Sequence, residues 1–144
     1  MAISDSDLEH LRRCVDLARQ ALDAGDEPFG SVLVDSAGRV RFADHNRVRG
    51  GDPTRHPEFA IARCAAEHLD PSECAAAHAW VGLGRTVYAT SSTQLSRWLA
   101  EWCAPAPPVA TLPTNTVAPG VPVDGPAPEL ADTMQTRYRE KFGS

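Results

Sequence analysis

The sequence predicts an α/β domain, on three observations. Apolar residues recur at helical spacing in four stretches, short β-branched runs lie between them, and the two kinds of segment alternate. The order helix, hairpin, helix, strand, helix, strands, helix leaves helices for both faces of one sheet. At 144 residues, the chain suits a single domain spanning 1–144, long enough to bury a core. No repeat or second domain is visible.

The first helix is expected over about residues 5 to 24. Ser6 and Glu9 form a capping-box pattern, and Leu8, Leu11, Val15, Ala18 and Leu22 recur along one face before Gly25 stops it. Ser31-Val32-Leu33-Val34 then reads as a buried strand, Ser36-Ala37-Gly38 as a turn, and Arg39 to Asn46 as an antiparallel return strand. Ile61, Cys64, Ala65 and Leu69 make the apolar stripe of a second helix, with Pro57 tolerated in its first turn. The alanines between Pro71 and Gly84 suggest no more than a short helix. Arg85 to Thr90 reads as a third strand, and Ser91-Ser92-Thr93 caps a helix carrying Leu95, Trp98, Leu99 and Trp102. From Ala104 to Pro128 the chain is proline-rich, with Val109–Leu112 and Val121–Val123 as short extended pieces suited to sheet edges. Leu130, Met134, Tyr138 and Phe142 then mark a last helix over about 129 to 142, with Arg137, Arg139 and Lys141 facing the negative end of its dipole.

Composition narrows the partners. The hydrophobic fraction of 42% and charged fraction of 23% are those of an ordinary globular domain, and no apolar run approaches the roughly 20 residues needed to cross a bilayer. The first residues lack the basic and apolar regions of a signal peptide, so a cytoplasmic location is expected. With a net charge of -5 and no dense basic cluster, a small ligand fits better than a long nucleic acid or a membrane surface. Cys14, Cys64, Cys74 and Cys103 are scattered and read as reduced thiols.

The stretch with chemistry in it runs from Gly51 to Ala65, where a polar turn becomes a helix and places His56 and Glu58 at the helix mouth. A histidine and a carboxylate so spaced can serve a metal-bound water, the first as ligand and the second as proton shuttle. Taken together, Pro28-Phe29-Gly30, His45-Asn46, Gly51-Asp52-Pro53-Thr54 and His56-Pro57-Glu58 occur in the order and near the spacing of the cytidine deaminase-like superfamily. The chain resembles the branch with guanine, nucleoside and tRNA adenosine deaminases over about residues 5 to 100. Gly125-Pro126 and the helix after it also look like that branch's C-terminal end. The resemblance implies a three-layer α/β/α cytidine deaminase-like fold with a mixed central sheet of about five strands. It also implies hydrolytic C–N cleavage on a purine, pyrimidine or related heterocycle. Glu58 would be the general acid/base and His56 the histidine of the His-x-Glu motif, the zinc ligand if zinc binds. Phe29 would pack on the base, and Asn46 would hydrogen-bond the base or sugar.

The sequence departs from that family after the third strand. A Pro-Cys-x-x-Cys segment is expected there, whereas this chain has Ser91-Ser92-Thr93-Gln94-Leu95-Ser96-Arg97. Gln94 and Arg97 stand where the two thiolate ligands should be. An amide is a poor substitute for a thiolate, and a guanidinium repels the metal. Cys64 lies about 12 Å from His56 along the same expected helix, out of reach. No cofactor is therefore expected, and the site is expected to bind its ligand through Phe29, Asn46, Arg97, Ser91 and Ser92, with Glu58 and His56 doing metal-free proton transfer. A catalytically inactive module pairing with an active deaminase, and a zinc enzyme with substitute ligands, are the alternatives. A homodimer is expected, because the resembling family usually associates and because Trp98 and Trp102 add apolar surface.

Overall fold

The computed structural model describes residues 2–68, 84–107 and 112–143. Helix α1 (Asp5–Asp23) opens the chain, followed by strands β1 (Gly30–Val34) and β2 (Val40–His45), a single 3-10 turn at Val48–Gly50, and helix α2 (Pro57–His68). After 84 come β3 (Thr86–Val87), α3 (Ser92–Glu101), the short α4 (Thr114–Val117), β4 (Val123–Asp124) and α5 (Pro128–Phe142). The alanine-rich stretch of 71–83, with Cys74, and most of the extended piece expected at 109–112 lie outside the described residues.

Helix α1 begins one capping box earlier than the sequence pattern suggested. Ser4, not Ser6, is the N-cap: the Asp7 backbone N–H donates to Ser4 Oγ at 3.2 Å, and Ser4 N–H donates back to Asp7 Oδ2 at 2.8 Å. An aspartate at the third position closes the same reciprocal pair that glutamate would. Arg85, reaching Asp7 at 3.0 Å and Asp124 at 2.6 Å, ties this helix start to β3 and β4. The helix ends where Gly25 takes φ of +90°.

Strands β1 and β2 form an antiparallel hairpin in which Gly30 pairs with His45 and Leu33 with Phe42. Alternate residues of a strand face opposite sides. Leu33 packs with Ile61 and Ala65 of α2, while Gly30 turns toward α1. The hairpin is thus covered by a helix on each face. The larger core gathers Leu11, Val15 and Ala18 of α1, Trp98 of α3, and Leu130, Met134 and Tyr138 of α5. Trp98 is only 3% exposed and stacks on Trp102 at 6.4 Å. Trp98 belongs to the internal core, and Trp102 packs against it half-buried.

The architecture is α/β, but the expected sheet of about five strands is not present among the described residues. Their strands form two separate pairs, β1 with β2 antiparallel and β3 with β4 parallel. Two local causes are visible. Pro122 and Pro126 bracket Val123–Asp124 and cannot donate to a ladder, so the pairing stops after two residues. Thr86 and Tyr88 meanwhile donate to the carbonyls of Pro122 and Asp124, which turns β3 toward β4. Between β1 and β3 lies a cleft of about 1350 Å³.

Gly30 fixes how closely α1 meets the hairpin. A Cβ there would sit 2.5 Å from the Cys14 carbonyl oxygen and 2.5 Å from Leu17 Cβ. Gly30→Ala is therefore expected to lower stability by about 1–3 kcal/mol, as overpacking does in well-filled interiors. Thermal unfolding followed by circular dichroism checks this, with a melting temperature lower by roughly 2–4 °C per kcal/mol; an unchanged melting temperature would contradict it.

Candidate active site

The start of α2 is built by the loop before it. Asp52 closes a turn by accepting from the Thr54 N–H at 2.9 Å and its hydroxyl at 2.6 Å, and Arg47 N–H donates to the Arg55 carbonyl at 3.0 Å. These bonds bring the chain back beside the end of β2. Pro57, fully buried, occupies the first helical position, where its missing N–H has no consequence. His56 and Glu58 are held on either side of it. His56 Nδ1 lies 2.8 Å from Glu58 Oε2, and both side chains are about one-third exposed (35% and 36%).

Phe29 completes this half of the site. Its ring lies 5.7 Å from the His56 ring at a tilt of 54°. The Phe29 carbonyl accepts the Asn46 backbone N–H at 3.0 Å, so the entry to β1 and the exit from β2 are locked together. Asn46 is completely buried. Its Oδ1 accepts from the Val48 N–H at 3.3 Å, while Nδ2 has no partner. An unmet buried donor of this kind costs about 1–3 kcal/mol. Asn46 is not among the described residues that line the cleft.

The electrostatics of the site centre on His56. Its pKa is raised above the ordinary 6.5, first by the hydrogen bond to Glu58 and then by the charges of Glu58 and Glu27; partial burial opposes them. Tyr138 of α5 lines the same cleft, and its phenol is pushed upward by burial, with the charges of Glu27 and Glu58 adding to the effect. Glu27 and Tyr138 are cleft residues that sequence reasoning missed. Glu27 could have been found from its place two residues before Phe29, in the short approach to β1. Tyr138 could not, because its place in an apolar helical stripe reads as core.

The opposite wall comes from the segment before α3. Thr90, Ser91 and Ser92 line the cleft. Ser91 is the N-cap of α3: its Oγ accepts the Gln94 N–H at 3.1 Å, and Gln94 Oε1 accepts the Ser91 N–H at 2.8 Å. Gln94 is thereby committed to a capping box. Arg97 is not brought to the cleft. Its side chain is 67% exposed and approaches Glu101 one turn on, at 3.6 Å.

These donors do not fit a zinc ion. Tetrahedral zinc needs three or four nitrogen, sulfur or carboxylate ligands in one place. His56 Nδ1 is held by Glu58, the Gln94 amide oxygen is in the cap, and Arg97 faces away. Among the described residues, no three histidine, cysteine or acidic side chains gather where they could hold a metal. Cys14, the thiol that lines the cleft, is pushed up to about 11 by burial and is kept as an unreactive thiol.

The chain is similar to a protein of Schizosaccharomyces pombe described as a probable cytosine deaminase, with 29% identity over 120 residues, 74% of each chain. This likeness supports a cytidine deaminase-like relationship. No protein-family model matches the chain. Among the described residues, no helix is long and apolar enough to cross a membrane.

A deaminase-like relationship makes the state of the His56–Glu58 pair the property to measure. Because its folded pKa is raised, the pairing stabilises the fold fully below about pH 6.5, and that contribution is lost as pH rises through the folded value. In a proton NMR titration, His56 is expected to titrate above 6.5, and Glu58→Gln is expected to bring its midpoint down. A His56 midpoint unmoved by Glu58→Gln would contradict the pairing.

Proposed function

We propose that this protein binds a nucleobase or related small heterocycle in the cleft before Phe29 and hydrolyses an exocyclic C–N bond of it without zinc. The observation that carries the reading is the His56–Glu58 contact of 2.8 Å, opening on the cleft beside the Phe29 ring. It is supported by the likeness to a probable cytosine deaminase.

The residues divide the work as follows. Phe29 offers an aromatic face against which a flat ring can pack. Ser91 and Ser92 supply hydroxyls on the opposite wall, and Asn46 holds the backbone of Phe29 in place. The Glu58 carboxylate takes a proton from a water molecule as the water oxygen bonds to the amidine carbon; the C=N π bond breaks onto the ring nitrogen, and Glu58 passes the proton to that nitrogen. The resulting tetrahedral carbon carries both the new hydroxyl and the amino group. Glu58 then moves the hydroxyl proton to the amino nitrogen, the C–N bond breaks, ammonia leaves, and the carbon becomes a carbonyl beside a ring N–H. His56, hydrogen-bonded to Glu58, holds that carboxylate in place and stabilises its charge when the imidazole is protonated.

A second reading follows from the rewritten segment. With Gln94 serving a helix cap, the site has the base-facing half of a deaminase but none of the expected metal-binding half. A binding module, alone or as a subunit beside an active deaminase, would need only Phe29 and the cleft. The homodimer is likewise proposed from the family resemblance.

Metal analysis and an ammonia-release assay over nucleobases, nucleosides and heterocyclic amides separate these readings. Hydrolysis by metal-free protein is expected, falling about 10²- to 10⁴-fold in Glu58→Gln, the range typical of acid/base residues. About one zinc per chain would overturn the metal-free reading. Binding without turnover of any compound would favour the module. Under either reading, Phe29→Ala is expected to weaken binding by about 1–3 kcal/mol, roughly tenfold or more, as measured by calorimetry.

A further inference from the structure

The acid/base pair leaves one polar group of the cleft unused, the hydroxyl of Tyr138. The ring is anchored: Tyr138 is 5% exposed, belongs to the larger core, and lies parallel to Phe142 with ring centres 6.4 Å apart. The side chain also lines the cleft that Phe29, His56 and Glu58 face. Its hydroxyl makes no hydrogen bond to any described residue. Buried tyrosines normally place the hydroxyl on a partner. Burial and the charges of Glu27 and Glu58 keep the phenol protonated, so it is a donor at any working pH.

The cleft therefore has two edges of opposite character. Glu27 and Glu58 are carboxylates, which only accept; both line the cleft with Tyr138 and act electrostatically on it. We infer that Tyr138 is a specificity-determining residue whose Oη donates a hydrogen bond to a ring carbonyl of the bound heterocycle. The inference rests on the ligand class proposed above. A ring whose amino group faces the carboxylates presents its acceptor edge to Tyr138, which fixes its orientation in the cleft. Rings without a carbonyl on that edge bind more weakly, because they cover the hydroxyl without accepting its proton.

The test uses Tyr138→Phe, which preserves the ring and its packing, and two probes: cytosine, and 4-aminopyrimidine, in which C2 carries hydrogen in place of the carbonyl oxygen and the neighbouring ring N–H is a bare nitrogen. Calorimetry on the purified full chain is expected to show cytosine bound about tenfold more tightly than 4-aminopyrimidine, the fold-change one hydrogen bond supplies. Tyr138→Phe is expected to remove that preference while leaving 4-aminopyrimidine affinity within about twofold. An equal loss for both probes, the signature of a merely structural role, would overturn the assignment, and so would unchanged cytosine affinity. If Tyr138→Phe does not fold, the wild-type comparison decides: no preference for cytosine overturns the assignment. Wild-type protein that binds neither probe overturns the heterocycle pocket itself, a result distinct from failure of Tyr138 alone.

Discussion

The close approach of β1 to α1 at Gly30 is the constraint on which the site depends. With no side chain at that position, the strand lies against the Cys14 carbonyl and Leu17, at distances that any Cβ would violate. That depth seats the hairpin between α1 and α2, with Leu33 turned to Ile61 and Ala65 on the far face. Because Phe29 immediately precedes Gly30, the position of its ring is set by the same contact. The bond from Asn46 N–H to the Phe29 carbonyl then carries that placement to the loop before α2, and so to His56 and Glu58. Helix packing, strand depth and the geometry of the candidate site are one mechanical chain.

The start of α3 is held by side chains of its own first turn. A helix N-terminus has backbone N–H groups without partners, and a serine N-cap with a glutamine three residues later satisfies two donors reciprocally. Ser91 and Gln94 do this with bonds of 2.8 and 3.1 Å. A cap of this kind is worth about 1 kcal/mol. The helix start is thus held by its own side chains, without needing a metal to pin it. Arg97, on the solvent face one turn later, is a position where a long charged side chain costs nothing in burial.

What the sequence made legible follows from which signals are local. α1, α3 and α5 were readable because Leu11, Val15, Ala18, Trp98, Leu130, Met134 and Tyr138 form stripes that end up in the core. His56 and Glu58 were readable as a pair because they flank Pro57, whereas Phe29 was joined to them by the family resemblance and not by a local signal. The choice of Ser4 over Ser6 was less clear, since two overlapping caps compete within a few residues and Arg85, distant in sequence, supports Asp7. The extent of β3 was not readable, because it depends on β4 and on the prolines flanking β4. Trp98 and Trp102 show the same limit: an apolar stripe announces burial but does not say whether the burying partner is the chain itself. Glu27 and Tyr138 come from elements more than a hundred residues apart, and only the fold puts them on one cleft.

The charge around that cleft constrains what it can hold. Glu27 and Glu58 face it, and the one guanidinium on its lining, Arg85, is engaged by Asp7 and Asp124 on its inner side. Arg97, the cation that the sequence suggested for an anionic substrate group, is directed to solvent. A phosphate or carboxylate entering here would meet like charge in a partly dehydrated space, where such repulsion is much stronger than in water. A neutral ring bearing N–H donors meets the reverse: each carboxylate accepts from it, and protonated His56 offsets part of the charge that remains. Under the proposed function, these charges would favour a free base or an unphosphorylated nucleoside over a nucleotide, through the same carboxylate that the proposed chemistry requires.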